Sequence, residues 1–333
     1  MREAFHPVGR GPFSLAPHTP EMLEEMRDLR ERARQARSEL PDPTTPAGLE
    51  ANRAYLARLR KDLGDFMPAD LVEERVVSAR GASVPVRIIK PAKTPVAVHL
   101  GIHAGGWASG FAAFDDLANL VMTELLGVVT VSVEYRLAPE HPFPAGPDDC
   151  ETGALWLVEN AGREFGTNRL TTGGGSAGAH LAVITLLRLR DRHSIVDQFC
   201  GASLGAGVYD LSGTPSVLAA GDRFVNASTR GLLAAVERCM PGATLEGLRE
   251  PGVSPLYADL SEMPPARFQV GTHDPTIDDT MFMAARWQAA GNIAEVGLYP
   301  EAHHGFEGLG ELGRQAFMDQ VGFLDKAISG NLG

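Results

Sequence analysis

A chain of 333 residues with 30 basic and 42 acidic side chains, a formal net charge of −12, can bury one large core and is too acidic to seek nucleic acid or anionic lipid. Its opening residues, Met1 to Pro20, hold no apolar segment of signal-peptide length, and no run nears the roughly eighteen apolar residues of a membrane span. A cytoplasmic protein without stable membrane association is expected, and Cys150, Cys200 and Cys239, lacking metal-ligand or C-x-x-C spacing, read as reduced thiols.

The first elements are helical. Between Thr19 and Leu40 the apolar residues Met22, Met26, Leu29, Ala33, Ala36 and Leu40 recur three and four apart, with Thr19 and Pro20 at the N-cap and first helical positions. A proline-bearing stretch, Pro41 to Pro46, separates this helix from a second over Ala47 to Leu63, with Leu49, Leu56, Leu59 and Leu63 on one face. Both precede any strand, so their apolar faces must dock elsewhere, and plain packing on the core is the simplest outcome. Leu71 to Ala79 and Val84 to Ile89, on either side of Arg80-Gly81-Ala82-Ser83, predict an antiparallel hairpin.

Strand candidates follow at Val96 to Ile102, Gly127 to Val133, Arg169 to Gly173, Gly201 to Leu204, Ala266 to Val270 and Ala294 to Tyr299, separated by helical patterns. This alternation predicts an α/β fold, a mostly parallel sheet with helices on both faces. Tyr209 to Gly252 interrupts the alternation with a helical insertion that the core does not need. Asp148 and Asp149 read as the start of a helix through Ala154, Leu155 and Leu157, and Asp278 as the N-cap of a helix through Met281, Phe282 and Ala285.

Four chemistry-bearing segments fall at the carboxyl ends of these strands, where open sheets place their ligands. Gly174-Gly175-Ser176-Ala177-Gly178 sets a serine between small residues where a strand passes into a helix, the layout of a nucleophile elbow. His103-Ala104-Gly105-Gly106-Trp107 offers backbone amides of a glycine loop. Asp274 ends one apolar run, and His303-His304-Gly305-Phe306 lies near the C-terminus, so the chain order is Ser, Asp, His, that of α/β-hydrolases.

From about residue 70 onward the sequence resembles the hormone-sensitive-lipase-like carboxylesterases. Glu134 to Ala145 (EYRLAPEHPFPA) is similar almost letter for letter to that family's pattern. The family's H-G-G-G loop resembles His103 to Gly106, its G-D-S-A-G elbow Gly174 to Gly178, its D-P-L-x-D-E segment Asp274 to Asp279, and its H-G-F His304 to Phe306. Ala104 replaces the first loop glycine, and Gly175 replaces the acidic residue before the serine.

The resemblance implies an α/β-hydrolase fold with a helical cap. Residues 1–68 would form an N-terminal cap segment and 69–333 the catalytic domain, with a second cap insertion over 209–252. It implies Ser176 as nucleophile, His304 as general base, Asp274 as the acid that holds it, and the amides of Gly105, Gly106 and Ala177 as oxyanion donors. His303 competes with His304 by position alone, and the H-G-F match selects His304. Trp107 and Phe111 are candidates to line the substrate pocket, with plain packing an equal reading, and His103 is expected to shape the glycine loop. The expected substrate is a small carboxylic ester of short to medium acyl chain. No cofactor, metal or nucleic acid is expected, and a homodimer is left open. Non-hydrolytic acyl transfer, cyclisation or elimination remains an alternative, as does a receptor-like binding module of the same fold.

Overall fold

The computed structural model describes residues 15–38, 41–67, 70–221 and 227–332. Leu40, residues 1–14 of the expected head and 222–226 of the expected insertion lie outside the described residues, as do the side chains of Leu59 and Leu63.

Among the described residues eight strands build one sheet: β1 (Val72–Ala79), β2 (Ala82–Ile89), β3 (Ala97–Ile102), β4 (Val128–Val133), β5 (Leu170–Gly175), β6 (Phe199–Gly205), β7 (Ala266–His273) and β8 (Ala294–His303). Their order is β1-β2-β4-β3-β5-β6-β7-β8, and only β2 runs against its neighbours. Every residue of β4, VVTVSV, is buried, as a parallel strand covered on both faces requires. The hairpin is tighter than expected. Arg80 (φ +47°) and Gly81 (φ +86°) alone make the turn, because two left-handed residues match the twist of the flanking strands, and Ala82 and Ser83 join β2.

The helices are α1 (Pro20–Ser38), α2 (Pro46–Phe66), α3 (Asp116–Leu126), α4 (Ala145–Phe165), α5 (Ala177–His193), α6 (Pro215–Ala219), α7 (Thr229–Cys239), α8 (Leu245–Leu248), α9 (Ile277–Ala289) and α10 (Gly310–Ser329). On one face α4, α5 and α9 bury Leu157, Leu181, Ile184 and Trp287 with Leu100, Val131 and Phe268 of the sheet. On the other, α3 and α10 bury Met122, Phe323 and Leu324 against Ala97 and Val128. No helix among the described residues is long and apolar enough to cross a membrane.

The two head helices dock in different places. α1 packs on α10 and β8, where Met26 is fully buried with Tyr299, Phe306 and Leu312, and Leu15 adds a short parallel bridge to Leu298. α2 lies instead along the segment after the glycine loop: Arg53 donates to the carbonyls of Ala108 (2.8 Å) and Ala138 (2.7 Å), and Asn52 to Ser109 Oγ (3.2 Å). The insertion carries α6, α7 and α8, and its entry is tied to α9 through Asp279, which accepts from the amides of Tyr209 (2.7 Å) and Asp210 (2.9 Å) and from Thr214 Oγ1 (2.6 Å). α7 also meets the linker between the head helices, through the Arg230–Asp42 ion pair (3.0 Å) and a bond from Arg238 to the Pro43 carbonyl.

Candidate active site

Ser176 occupies the turn from β5 into α5 with φ +53° and ψ −118°, a strained conformation for a residue with a side chain. Its amide donates to the Gly205 carbonyl at 2.7 Å, which fixes the turn against the end of β6. The small flanking residues have a steric cause. A Cβ on Gly174 would lie 2.3 Å from the Ile102 carbonyl oxygen, and one on Gly178 only 2.0 Å from it. At Gly175 a Cβ would meet nothing closer than the Gly205 carbonyl oxygen at 4.0 Å, an ordinary contact, so glycine is not required there by a Cβ clash.

Two further strand ends complete the group. His304 follows β8 and Asp274 follows β7; His304 Nε2 lies 2.9 Å from Ser176 Oγ, and its Nδ1 2.8 Å from Asp274 Oδ2. The Asp274 side chain is fully buried and its other oxygen accepts from the amide (2.9 Å) and hydroxyl (2.8 Å) of Thr276, so the carboxylate is held at both ends. Burial opposes charge on His304, but the Asp274 carboxylate, by its charge and its hydrogen bond, together with Glu307, outweighs it and raises the imidazole pKa. His303 points elsewhere. It is 1% exposed, its Nδ1 has no hydrogen-bond partner among the described residues, and burial lowers its pKa.

The glycine loop leaves β3, the sheet neighbour of β5, at the level where Ile102 pairs with Gly174. Gly105 has φ +132°, and a Cβ there would lie 2.0 Å from the Ser109 carbonyl oxygen. Among the described residues the amides of Gly105, Gly106 and Ala177 donate to no protein acceptor. His103 Nδ1 lies 2.8 Å from the Ala104 carbonyl, its ring stacks on Tyr135 at 4.1 Å, and burial pushes its pKa to about 4, so the ring is neutral and shapes the loop.

The run Glu134 to Ala145 acts as a strut for this loop. Tyr135 Oη donates to the His103 carbonyl (3.0 Å), Ala138 N to the Trp107 carbonyl (2.9 Å), and Ala112 N to Glu134 (2.8 Å). Asp149, expected only to start a helix, also accepts from the Arg136 amide (2.8 Å) and guanidinium, and Asp148 from Arg188 (2.8 Å). Asp278 is not the N-cap. Thr276 holds that position, because the helix begins directly behind the Asp274 turn, and Asp278 accepts instead from the Ser216 amide at 2.8 Å.

Trp107 is 4% exposed, and its Nε1 donates to His180 Nδ1 at 3.1 Å. Phe111 lines a cavity of ≈ 480 Å³ between α2 and the strut, whose walls include Arg53, Leu56, Glu134 and Leu137 but none of Ser176, Asp274 or His304. Sequence reasoning missed Glu307, which lies three residues past His304. Its Oε1 would sit 3.0 Å from a Cβ on Gly205, Gln269 reaches it at 3.5 Å, and burial raises its pKa despite the pull of His304. Only its nearness in the chain to His304 could have marked it.

A family model described as the alpha/beta hydrolase fold matches residues 99–308. The chain is 33% identical over 273 residues to carboxylesterase NlhH of Mycobacterium tuberculosis, covering 79% of this chain and 83% of that protein. It superposes on the hyperthermophilic esterase from the archaeon Pyrobaculum calidifontis with a TM-score of 0.80 at 26% identity, covering 96% of this chain and all (100%) of the other. A hormone-sensitive lipase from a metagenome library superposes with a TM-score of 0.72 at 25% identity, covering 92% of this chain and 99% of its own.

Proposed function

The chain belongs to the alpha/beta hydrolase fold family, as a hormone-sensitive-lipase-like carboxylic ester hydrolase, and from that premise we propose that Ser176, His304 and Asp274 are its catalytic triad. The observation that carries this reading is the unbroken line from Ser176 Oγ through the His304 imidazole to Asp274, at 2.9 and 2.8 Å.

A serine hydroxyl is almost wholly protonated at neutral pH. It attacks the ester carbonyl as His304 Nε2 takes its proton, while Asp274 holds the Nδ1–H tautomer and stabilises the imidazolium. Negative charge on the carbonyl oxygen is met by the amides of Gly105, Gly106 and Ala177, each such donor being worth about 3 kcal/mol in comparable sites. The imidazolium returns the proton to the leaving alcohol. Water, deprotonated by the same histidine, then attacks the acyl-enzyme and releases the acid.

Short to medium acyl chains are the proposed substrates, with α2 and the 209–252 insertion as the cap that bounds them. Support for the cap comes from Gly106, where a Cβ would stand 3.4 Å from Ala235 of α7, and from the bond of the Phe143 amide to the Cys239 carbonyl (2.8 Å). Neither Trp107 nor Phe111 is carried forward as a substrate contact: the Trp107 indole is committed to His180, and Phe111, equally buried, lines a cavity that none of the three triad residues borders. Aryl esters graded by acyl length, tested with wild type and Ser176→Ala, check this: turnover and organophosphate labelling should both need Ser176. Wild-type protein that neither turns over a short-chain ester nor takes the label would overturn it.

A further inference from the structure

We propose that Arg30 of the N-terminal helix is a positioning residue for His304, acting through Glu301, so that α1 serves catalysis as well as packing. The proposal rests on the triad reading above.

The strands that carry the acid and the base slip out of register just before both residues. Between the pairs Gly271↔Tyr299 and His273↔His303, β7 advances two residues and β8 advances four. The extra length is a bulge over Pro300 to Ala302, and bulges redirect the side chains that follow them. Glu301, at its centre, has φ +61°. A non-glycine residue keeps that conformation only where its surroundings over-determine it.

Those surroundings come largely from α1. Arg30 Nη1 donates at 2.8 Å to the Glu301 carbonyl and also at 2.8 Å to its carboxylate, holding backbone and side chain together. Arg27 adds a second ion pair at 3.1 Å, but its side chain is 52% exposed against 24% for Arg30, so Arg30 carries more of the restraint. From the sheet, Thr272 Oγ1 accepts the Glu301 amide at 3.0 Å. His273 Nε2 faces the same carboxylate at 3.7 Å.

Glu301 thus touches the residue before Asp274 and stands three residues before His304. The intervening Ala302 and His303 are 0% and 1% exposed, so they have no free space in which to absorb a shift of the bulge. Releasing Glu301 would move His304 relative to Asp274 and Ser176, and a displacement of about 1 Å from a distant mutation can cost on the order of a hundredfold in rate.

The test compares Arg30→Met, which keeps the apolar stem, with Arg30→Lys and Glu301→Gln. Active sites are titrated with an organophosphate, and kcat and KM are then measured on a short-chain aryl ester alongside the thermal midpoint. Arg30→Met and Glu301→Gln should each lower kcat per titrated site roughly ten- to hundredfold with KM unchanged within about twofold, and Arg30→Lys should recover part of the loss. A thermal midpoint that falls while kcat per titrated site stays within about twofold of wild type would assign Arg30 to packing alone and overturn the proposal. A rise in KM without a fall in kcat would also overturn it. Should Arg30→Met fail to fold, Arg30→Gln decides, since it keeps part of the stem on α1 but is too short to hold the carbonyl and carboxylate of Glu301. Inactive, unlabelled wild type would sink the triad reading instead, an outcome distinct from an active wild type with unimpaired variants.

Discussion

Ile102 and Gly178 meet backbone to backbone: the carbonyl oxygen that ends β3 lies 2.0 Å from where a Cβ on Gly178 would stand. The same oxygen bars a Cβ on Gly174 at 2.3 Å, so the elbow is pressed against the strand that carries the glycine loop.

Gly178→Ala should therefore break the site. The added methyl can be accepted only if β3 or α5 moves, and overpacking of this kind costs about 1–3 kcal/mol or more. Gly175→Asp, whose Cβ meets only an ordinary contact at 4.0 Å, should fold with a thermal midpoint close to wild type. Thermal melts and ester turnover of the two variants check the contrast. Equal damage from both would show that the sterics of the elbow have been misjudged.

The two adjacent histidines should separate cleanly. On the proposed assignment His304→Ala removes the base and lowers kcat by several orders of magnitude, on the order of 10⁴ or more. His303→Ala leaves the Ser176–His304–Asp274 line intact, and turnover should stay within about tenfold of wild type. Steady-state kinetics on one aryl ester decides it, with circular dichroism as the folding control.

Among the acids, Asp274→Asn should be severe, because an amide at that position can present its NH₂ to His304 and favour the wrong tautomer, a change that costs about 10⁴ in a comparable triad. Asp278→Asn keeps a side-chain oxygen that can accept from the Ser216 amide and should be mild. Comparable losses in kcat would remove Asp274 from its proposed role.

The pH profile carries a sign. His304 must be neutral to accept the serine proton, and its pKa lies above the ordinary 6.5, so kcat/KM should rise with pH through a midpoint above 6.5. Glu307 is one of the charges that raise it, so Glu307→Gln should move that midpoint towards lower pH. A midpoint that stays fixed or moves upward would mean that Glu307 does not act on the base.

Met26 tests the docking of α1. It is fully buried among Tyr299, Phe306 and Leu312, and Met26→Ala should cost about 2–5 kcal/mol of stability in urea unfolding. A loss well under 1 kcal/mol would mean that α1 is only loosely held.

The strands, their alternation with helices and the small residues beside Ser176 were legible in the sequence because each depends on local rules, whereas the proposed roles of Asp274 and of His304 over His303 came from the resemblance. Strands buried on both faces must be apolar throughout, and a sharp strand-to-helix turn excludes side chains beside its serine. The strut from Glu134 to Ala145 was recognisable only by resemblance, since its chemistry lies in bonds to the glycine loop that no spacing announces.

Contacts between remote positions were decided by the tertiary structure alone. Arg30 and Glu301 are 271 residues apart, Arg53 and Ala108 are 55 apart, and Glu307 meets Gly205 across two strand ends. An arginine on an exposed helix face looks the same in sequence whether it faces water or fixes a bulge. The head helices show the same division: periodicity marked the apolar face of each, but an apolar face carries no address. Hydrophobic burial is non-directional, and only the shape of the assembled core determined that α1 would find β8 and α10 while α2 would find the segment after the glycine loop.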